Sequence, residues 1–152
     1  MKNILLLEDD LSLAMHYREG LEDAGYAVYH DVNVDAAKVT LEAVDVHVVI
    51  TDIMLRSVKG MPSSTGGLSL LSHITLNVRP IPHLVVITGT DSQLQLLKMA
   101  ETFNVAVSLE KPFAVESLID EVNVLARIPK AKSLLEIKTG FDEPDGTLTP
   151  PL

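Results

Sequence analysis

Five short apolar runs alternate along this chain with five segments in which apolar residues recur at helical spacing. The runs cover residues 4–7, 26–29, 46–51, 83–88 and 105–109, and they predict strands. The apolar, β-branched run 46–51 predicts a buried strand. Strands that alternate with helices form right-handed βαβ units, which assemble into a parallel sheet with helices on both faces. The alternation therefore predicts an α/β fold with a doubly wound, five-stranded parallel sheet, whose functional site lies at the carboxyl ends of the strands.

The segments between these runs have the spacing of amphipathic helices. In the first segment Leu13, Tyr17 and Leu21 fall on one face, and Asp10 or Ser12 is placed to cap the helix. Asn33 or Asp35 is the corresponding cap of the second helix. The other three helices are predicted over residues 68–76, from residue 91 or 92 to 103, and over residues 115–126.

Composition and charge exclude several classes of function. The 152 residues are 47% hydrophobic and 22% charged, as expected for one folded domain. The net charge of −9 repels nucleic-acid phosphates and anionic lipids, so we expect no direct binding of nucleic acid or membranes. The absence of cysteine excludes disulfides and thiol chemistry. No run resembles a signal peptide or reaches the ~20 apolar residues of a membrane span, so we expect a cytoplasmic protein.

The character of the chain changes after residue 127. Proline, glycine and polar residues dominate residues 128–152, and residues 133–137 predict one short helical turn or strand. We therefore expect a folded domain over residues 1–127, followed by a partly disordered tail over residues 128–152. About two dozen residues are too few to form an effector domain of their own.

Polar side chains follow four of the predicted strands at the point where each strand ends. They are Glu8 and Asp9 after the first strand, Asp52 after the third, Thr88 after the fourth and Lys111 after the fifth. They converge if the strands lie side by side in the order 2-1-3-4-5, an order that the residues alone do not reveal. Asp52 is either a helix cap or a site residue, and no helix begins directly after it, which disfavours the cap.

Three carboxylates in one small site repel each other strongly unless a cation compensates them. A hard divalent cation with oxygen ligands, above all Mg²⁺, is the usual compensation, and the ammonium group of Lys111 is a second. Together with the hydroxyl of Thr88, these cations would surround a phosphoryl group. Aspartate is able to accept such a group as an acyl phosphate.

Four motifs at these strand ends are similar to those of one family. They are Ile-Leu-Leu-Leu-Glu-Asp-Asp at residues 4–10, Val-Ile-Thr-Asp-Ile-Met-Leu at 49–55, Val-Ile-Thr-Gly at 86–89 and Glu-Lys-Pro-Phe at 110–113. Over about residues 2–127 the chain resembles the receiver domain of two-component response regulators, in particular the single-domain, chemotaxis-regulator-like members. The resemblance implies a flavodoxin-like receiver fold of strand order 2-1-3-4-5, with no enzymatic activity beyond self-phosphorylation and autodephosphorylation at Asp52.

The resemblance also implies a partner and a cofactor. Asp52 would accept a phosphoryl group from a sensor histidine kinase or a histidine phosphotransfer protein, as an output protein or as a step in a phosphorelay. The stand-alone receiver would then signal through a downstream protein target, and a homodimer through the fourth and fifth helices is a further implication. Asp9 and Asp52 would bind Mg²⁺, with Glu8 acting through water and the backbone carbonyl of Met54 completing the ligands.

The remaining site residues would act on the phosphoryl group itself. Lys111 would pair with one phosphoryl oxygen, Thr88 would move to bond another, and Gly89 would leave room for the group. The Lys111–Pro112 peptide bond would be cis.

Two features depart from the family pattern. Ser108 stands three residues before Lys111, where the family usually has an aromatic residue, so an output signal that relies on a swinging ring is not expected here. The second feature is the loop over residues 56–67, which has Arg56 in place of the usual proline. Gly67 lies fifteen residues after Asp52, about half a dozen more than usual. We hypothesise that this enlarged loop shapes access to Asp52.

Two alternative functions compete with phosphoryl acceptance. A phosphorylation-independent interaction module with a receiver fold is favoured by Ser108 and the enlarged loop, but the intact set of site residues opposes it. A phosphohydrolase with an aspartyl-phosphate intermediate would need a second aspartate at the position of Met54. The histidines show no metal-ligand spacing and are interpreted as structural: His16, His30, His47, His73 and His83.

Overall fold

The computed structural model describes residues 1–53, 55–56, 62–63, 66–89, 98 and 102–139. Its elements in chain order are β1 (Asn3–Leu7), α1 (Leu11–Asp23), β2 (Ala27–Asp31), α2 (Val34–Ala43), β3 (Val46–Asp52), β4 (Leu55–Arg56), β5 (Pro62–Ser63), α3 (Gly66–Asn77), β6 (His83–Thr88), β7 (Val107–Glu110), α4 (Val115–Ala126) and α5 (Leu134–Thr139). Five strands form one sheet in the order β2-β1-β3-β6-β7, and all its pairings are parallel. Counted without the short β4 and β5, this is the order 2-1-3-4-5, so the predicted fold class is confirmed.

The three central strands of the sheet, β1, β3 and β6, are buried on both faces. Side chains alternate along β1, so that Ile4 and Leu6 pack into one core and Leu5 and Leu7 into the other. The first core is shared with α1 and α4, and the second with α2 and α3. All seven residues of β3 are buried, which explains why its sequence is a continuous apolar run rather than an alternating one.

Several predicted boundaries agree with the structure. The strand over residues 83–88 and the helix over residues 115–126 are found at those bounds. Asp10 caps α1, since its Oδ1 accepts a hydrogen bond from the Leu13 amide at 3.1 Å. Asn33 caps α2 in the same way, with the Ala36 amide at 2.8 Å. Most of the helix predicted up to residue 103 lies outside the described residues.

A small hairpin interrupts the enlarged loop after Asp52. β4 and β5 pair antiparallel, with Leu55 opposite Ser63 and Arg56 opposite Pro62. α3 then begins at Gly66, two residues before its predicted start. The sequence predicted only a loop here, because strands of two residues leave no periodic pattern.

Residues 128–137, which we call the C-terminal strap, cross the amino ends of β3 and β6. The ring Nε2 of His83 donates to the carbonyl oxygen of Ile128 at 2.8 Å. The Nε2 of His47 lies 3.0 Å from the carbonyl oxygen of Leu125 and 3.1 Å from that of Ile128. Both histidines are therefore structural, as predicted, and both hold the start of the strap.

The strap continues from one face of the sheet to the other. Lys130 Nζ donates to the carbonyl oxygen of Val46 at 3.1 Å and pairs with Asp45. The Ile81 amide donates to the carbonyl oxygen of Ala131 at 2.7 Å. Ile128 packs against the core of α1 and α4, whereas Ala131 is part of the core of α2 and α3, and so the strap joins the two faces.

The short helical turn or strand predicted over residues 133–137 is a helix, α5, which spans Leu134–Thr139. The division at residue 127 stays a prediction, and residues 140–152 lie outside the described part of the chain. Among the described residues, no helix is long and apolar enough to cross a membrane.

Candidate functional site

The register of the sheet brings the polar strand ends together. Leu7 lies opposite Thr51, so Glu8 emerges beside Asp52. Asp52 in turn lies opposite Ile87, directly before Thr88. Thr88 lies opposite Glu110, directly before Lys111. The four strand ends that the sequence singled out are therefore neighbours along one edge of the sheet.

A lysine lies between two buried carboxylates at this edge. Lys111 Nζ donates to Asp52 Oδ2 at 2.7 Å and lies 3.6 Å from Glu8 Oε1. Glu8 is 1% exposed and Asp52 is 6% exposed. Because water reaches these carboxylates so little, the ammonium group is their main source of compensating charge among the described contacts.

The pKa values of two residues reflect this crowding. Burial is the main cause that raises the pKa of Glu8 to about 7, against the opposing charge of Lys111. Burial alone would lower the pKa of Lys111, but its hydrogen bond to Asp52 and the two carboxylate charges raise that pKa above its usual value. Lys111 therefore stays protonated at neutral pH beside the two carboxylates.

Thr88 occupies the end of β6, next to this pair. It is buried, and its Oγ1 lies 3.5 Å from the carbonyl oxygen of Leu109, which is a weak hydrogen bond. Gly89 follows it directly and is half-buried. Ser108 is exposed on β7, so the position of the usual aromatic residue carries a small polar side chain at the surface.

The segment that carries Lys111 is held by a stacked aromatic pair. The Lys111–Pro112 bond is cis, as the resemblance implied, and the Lys111 amide donates to the carbonyl oxygen of Thr88 at 2.8 Å. The rings of Tyr17 and Phe113 are stacked, with centroids 5.6 Å apart and planes inclined by 13°. Sequence periodicity placed Tyr17 correctly on the inner face of α1, but it did not reveal this contact with the lysine segment.

Gly67 packs directly on the backbone that carries Asp52. A Cβ atom at this position would lie 2.7 Å from the carbonyl oxygen of Asp52 and 2.8 Å from the Cα of Ile53. Only a residue without a side chain allows the start of α3 to lie this close to the end of β3. The Ile53 amide also donates to the carbonyl oxygen of Ile87 at 3.0 Å, which fixes the same turn from β6.

The site offers oxygen donors of the kind that Mg²⁺ prefers. Among the described residues, no group of three acidic or histidine side chains is arranged to bind a metal ion by itself. Mg²⁺ does not require one, since it keeps several waters and usually takes one or two carboxylates from the protein. Glu8 Oε1 is buried without a hydrogen-bond partner beside the buried Asp52, and such a donor set fits a hard cation. Met54, the predicted carbonyl ligand, lies outside the described residues.

One contact of the acidic strand end was not predicted. The Nε2 of His30 on β2 lies 2.7 Å from the backbone carbonyl oxygen of Glu8. The sequence carried no signal for it, because the contact depends on the register that places His30 opposite Leu6.

Comparison with known proteins agrees with this geometry. No protein-family model matches the chain. It is 29% identical over 122 residues to the response regulator receiver protein CpdR of Brucella abortus (strain 2308), which covers 80% of this chain and 94% of that relative. Its structure is similar to the signal receiver domain of a putative Luxo repressor protein from Vibrio parahaemolyticus, with a TM-score of 0.69, 25% identity, and coverage of 83% and 91%.

A longer protein contains a similar domain. Full-length FixJ from B. japonicum matches with a TM-score of 0.69 and 21% identity, over 83% of this chain but 58% of FixJ. The resemblance of this chain to the receiver domain of two-component response regulators is therefore confirmed in both sequence and fold.

Proposed function

We propose that Asp52 accepts a phosphoryl group from a phosphohistidine on a sensor histidine kinase or a histidine phosphotransfer protein. The observation that carries this proposal is the hydrogen bond of 2.7 Å between Lys111 Nζ and Asp52 Oδ2 in the cluster of strand ends. A buried carboxylate beside a fixed ammonium group has both a nucleophilic oxygen and a counter-charge for an incoming phosphate.

The transfer replaces one bond to phosphorus with another. An oxygen of Asp52 attacks the phosphorus atom while the bond from phosphorus to the imidazole nitrogen breaks. The imidazole leaves with the bonding electron pair and takes up a proton, and Asp52 becomes an acyl phosphate. Lys111 would neutralise a phosphoryl oxygen, and the hydroxyl of Thr88 would turn from the Leu109 carbonyl to donate to another. Its present bond at 3.5 Å is weak enough to be exchanged.

The carboxylates of Glu8, Asp9 and Asp52, with the carbonyl of Met54, would hold Mg²⁺. The cation would supply charge that stabilises the phosphoryl oxygens during transfer. Without it, Glu8 and Asp52 have Lys111 as their shared counter-cation.

The protein would act as a signalling component rather than as an enzyme with a separate substrate. Its acidic net charge of −9 favours a protein as the downstream target over nucleic acid. The homodimer predicted through the fourth and fifth helices stays a prediction, because most of the predicted fourth helix lies outside the described residues. The effect of the loop over residues 56–67 on access to Asp52 is likewise a hypothesis.

A second function is supported by one observation. Ser108 is exposed and has no ring that could follow a movement of Thr88. A module that binds its partner without phosphorylation would need no such switch. The intact arrangement of Asp52 and Lys111 supports the first function more strongly.

The two functions are separated by incubation with Mg²⁺ and either acetyl phosphate or a phosphorylated histidine kinase. We expect intact-mass spectrometry to show the gain of one phosphoryl group, abolished in Asp52→Asn and by EDTA. Lys111→Gln should lower the rate of phosphorylation by about 100-fold or more, because the positive charge opposite the phosphoryl group is lost. If neither donor modifies the wild-type protein, the first function is wrong and the interaction module remains.

A further inference from the structure

The backbone of Glu8 is held on both sides by the neighbouring strand. Its amide donates to the carbonyl oxygen of Asp31 at 3.2 Å. Its carbonyl oxygen lies 2.7 Å from the Nε2 of His30. A carbonyl oxygen can only accept, so the imidazole is the donor and carries its proton on Nε2. Two successive residues of β2, His30 and Asp31, thus hold the backbone of Glu8, which directly follows β1.

The imidazole of His30 takes the place of a backbone donor to Glu8, because β2 ends at Asp31. Along the ladder, Leu7 lies opposite Asp31, the last residue of β2. The chain then leaves the sheet, and Asn33 caps α2. The carbonyl oxygen of Glu8 therefore lies past the end of the pairing between β1 and β2. The side chain of His30 extends to this oxygen and donates the hydrogen bond. Asp31 is itself tied to α2, since Thr40 Oγ1 donates to Asp31 Oδ2 at 2.6 Å.

This bond acts on Asp9 as well as on Glu8. The carbonyl group of Glu8 belongs to the planar peptide unit that joins it to Asp9. A fixed oxygen therefore restrains the orientation of that plane, and with it the position of the Asp9 Cα, from which the Asp9 side chain leaves the backbone. The side chain of Glu8 is oriented too, because its Oε2 accepts from the Asp10 amide at 3.3 Å.

We propose that His30 is a positioning residue for the acidic pair, holding Glu8 and Asp9 in the orientation that binds Mg²⁺. This inference rests on the proposed function. His30 does not touch the cation; it acts through the peptide unit between its two carboxylates. Loss of a partner that orients a metal ligand typically weakens metal affinity by about 10–100-fold.

The test compares Mg²⁺ affinity with stability in the same variants. His30→Leu keeps much of the side-chain volume and removes the donor, whereas His30→Gln keeps an N–H donor. His16→Leu, at an exposed histidine on α1, is the matched control. The Mg²⁺ dissociation constant is read from amide chemical shifts of Asp9 and Asp10 by NMR, and the free energy of unfolding in EDTA from urea denaturation.

We expect His30→Leu to weaken Mg²⁺ binding about 10-fold, and His30→Gln and His16→Leu to stay within about 3-fold of the wild type. A loss of stability in His30→Leu with unchanged Mg²⁺ affinity would show a merely structural role and overturn the inference. If His30→Leu does not fold, the wild-type protein still gives an answer. Mg²⁺ should shift the Nε2–H resonance of His30 but not that of His73, and an unmoved His30 resonance overturns the inference.

The inference and the proposed function fail in different ways. A wild-type protein whose Asp9 and Asp10 amides do not respond to Mg²⁺ refutes both. A wild-type protein that binds Mg²⁺, next to a folded His30→Leu that binds it equally well, refutes the positioning role alone.

Discussion

The contact between Gly67 and the backbone of Asp52 leads to a sharp prediction for Gly67→Ala. The new Cβ would lie 2.7 Å from the carbonyl oxygen of Asp52, about 0.7 Å short of the 3.4 Å at which ordinary contact begins. The opposing atoms are backbone atoms of Asp52 and Ile53, which cannot rotate away as a side chain can. The start of α3 and the end of β3 must therefore separate.

The expected cost follows from two opposing effects. Overpacking of a buried position costs about 1–3 kcal/mol. Alanine gains up to about 1 kcal/mol over glycine inside a helix, and less at position 67, the second residue of α3. We expect the free energy of unfolding to fall by about 1–2 kcal/mol, and the melting temperature by about 2–4 °C for each kcal/mol. Phosphorylation of Asp52 should slow by about 10-fold, because the carboxylate shifts relative to Lys111.

Urea denaturation followed by circular dichroism measures the stability change, and intact-mass kinetics with acetyl phosphate measure the rate. Gly20→Ala is the matched control, since its Cβ would meet the side-chain ends of Val115 at 3.0 Å and Ile119 at 3.2 Å. Those atoms can move, and the interior of α1 favours alanine, so we expect its stability to stay within about 1 kcal/mol of the wild type. If Gly67→Ala is as stable and as reactive as Gly20→Ala, the reasoning on the backbone contact is wrong.

Three further predictions concern charge and pH. Lys111→Met removes the shared cation of two buried carboxylates, so its free energy of unfolding in EDTA at pH 7 should be about 1–3 kcal/mol lower than that of the wild type. Added Mg²⁺ should raise the free energy of unfolding more in this variant than in the wild type. Lys130→Met removes the donor to the Val46 carbonyl and should lower the free energy of unfolding by about 1 kcal/mol. Burial lowers the pKa of both His47 and His83 from 6.5, so the unfolded chain binds more protons just below that pH. Their contribution to stability is therefore full above pH 6.5 and decreases as the pH falls below it.

Urea denaturation at several pH values tests all three. Lys132→Met, at an exposed position on the strap, is the control for Lys130→Met, and equal stability of the two would contradict the assigned role. His47→Gln keeps a donor but does not titrate, so it should lose part of the pH dependence between pH 6.5 and 5. An unchanged slope in this variant would show that other groups cause the acid sensitivity. For Lys111→Met, unchanged stability in EDTA would count against the shared-cation role.

The order and type of the main elements were predictable because they depend on local patterns. A run such as residues 83–88 is apolar on both sides because both faces of the sheet are covered, and that requirement is visible in the residues themselves. The caps Asp10 and Asn33 were among the predicted candidates, since a short polar side chain before a periodic segment satisfies the free amides of a helix. The hairpin of β4 and β5 was missed, since its strands have two residues each.

The site was predictable as a list of residues but not as a geometry. The alternation of strands and helices indicated that Glu8, Asp9, Asp52, Thr88 and Lys111 follow strands, and family resemblance suggested their roles. The hydrogen bond between Lys111 and Asp52 joins residues that are 59 positions apart, and the one between His30 and Glu8 spans 22 positions. Contacts between residues so far apart in the sequence leave no periodic pattern of residue types from which they could be predicted.

By itself, then, the sequence determined which of the longer segments are strands and helices and which chemical groups follow each strand of the main sheet. Apolar side chains that face the core recur with the local period of the backbone, and that period is visible in the sequence. The tertiary structure decided the strand order, the register, the close approach of Gly67 and the path of the strap past His47 and Ile81. These features depend on pairings between distant parts of the chain, and such pairings are selected by the packing of the whole sheet rather than by any one segment.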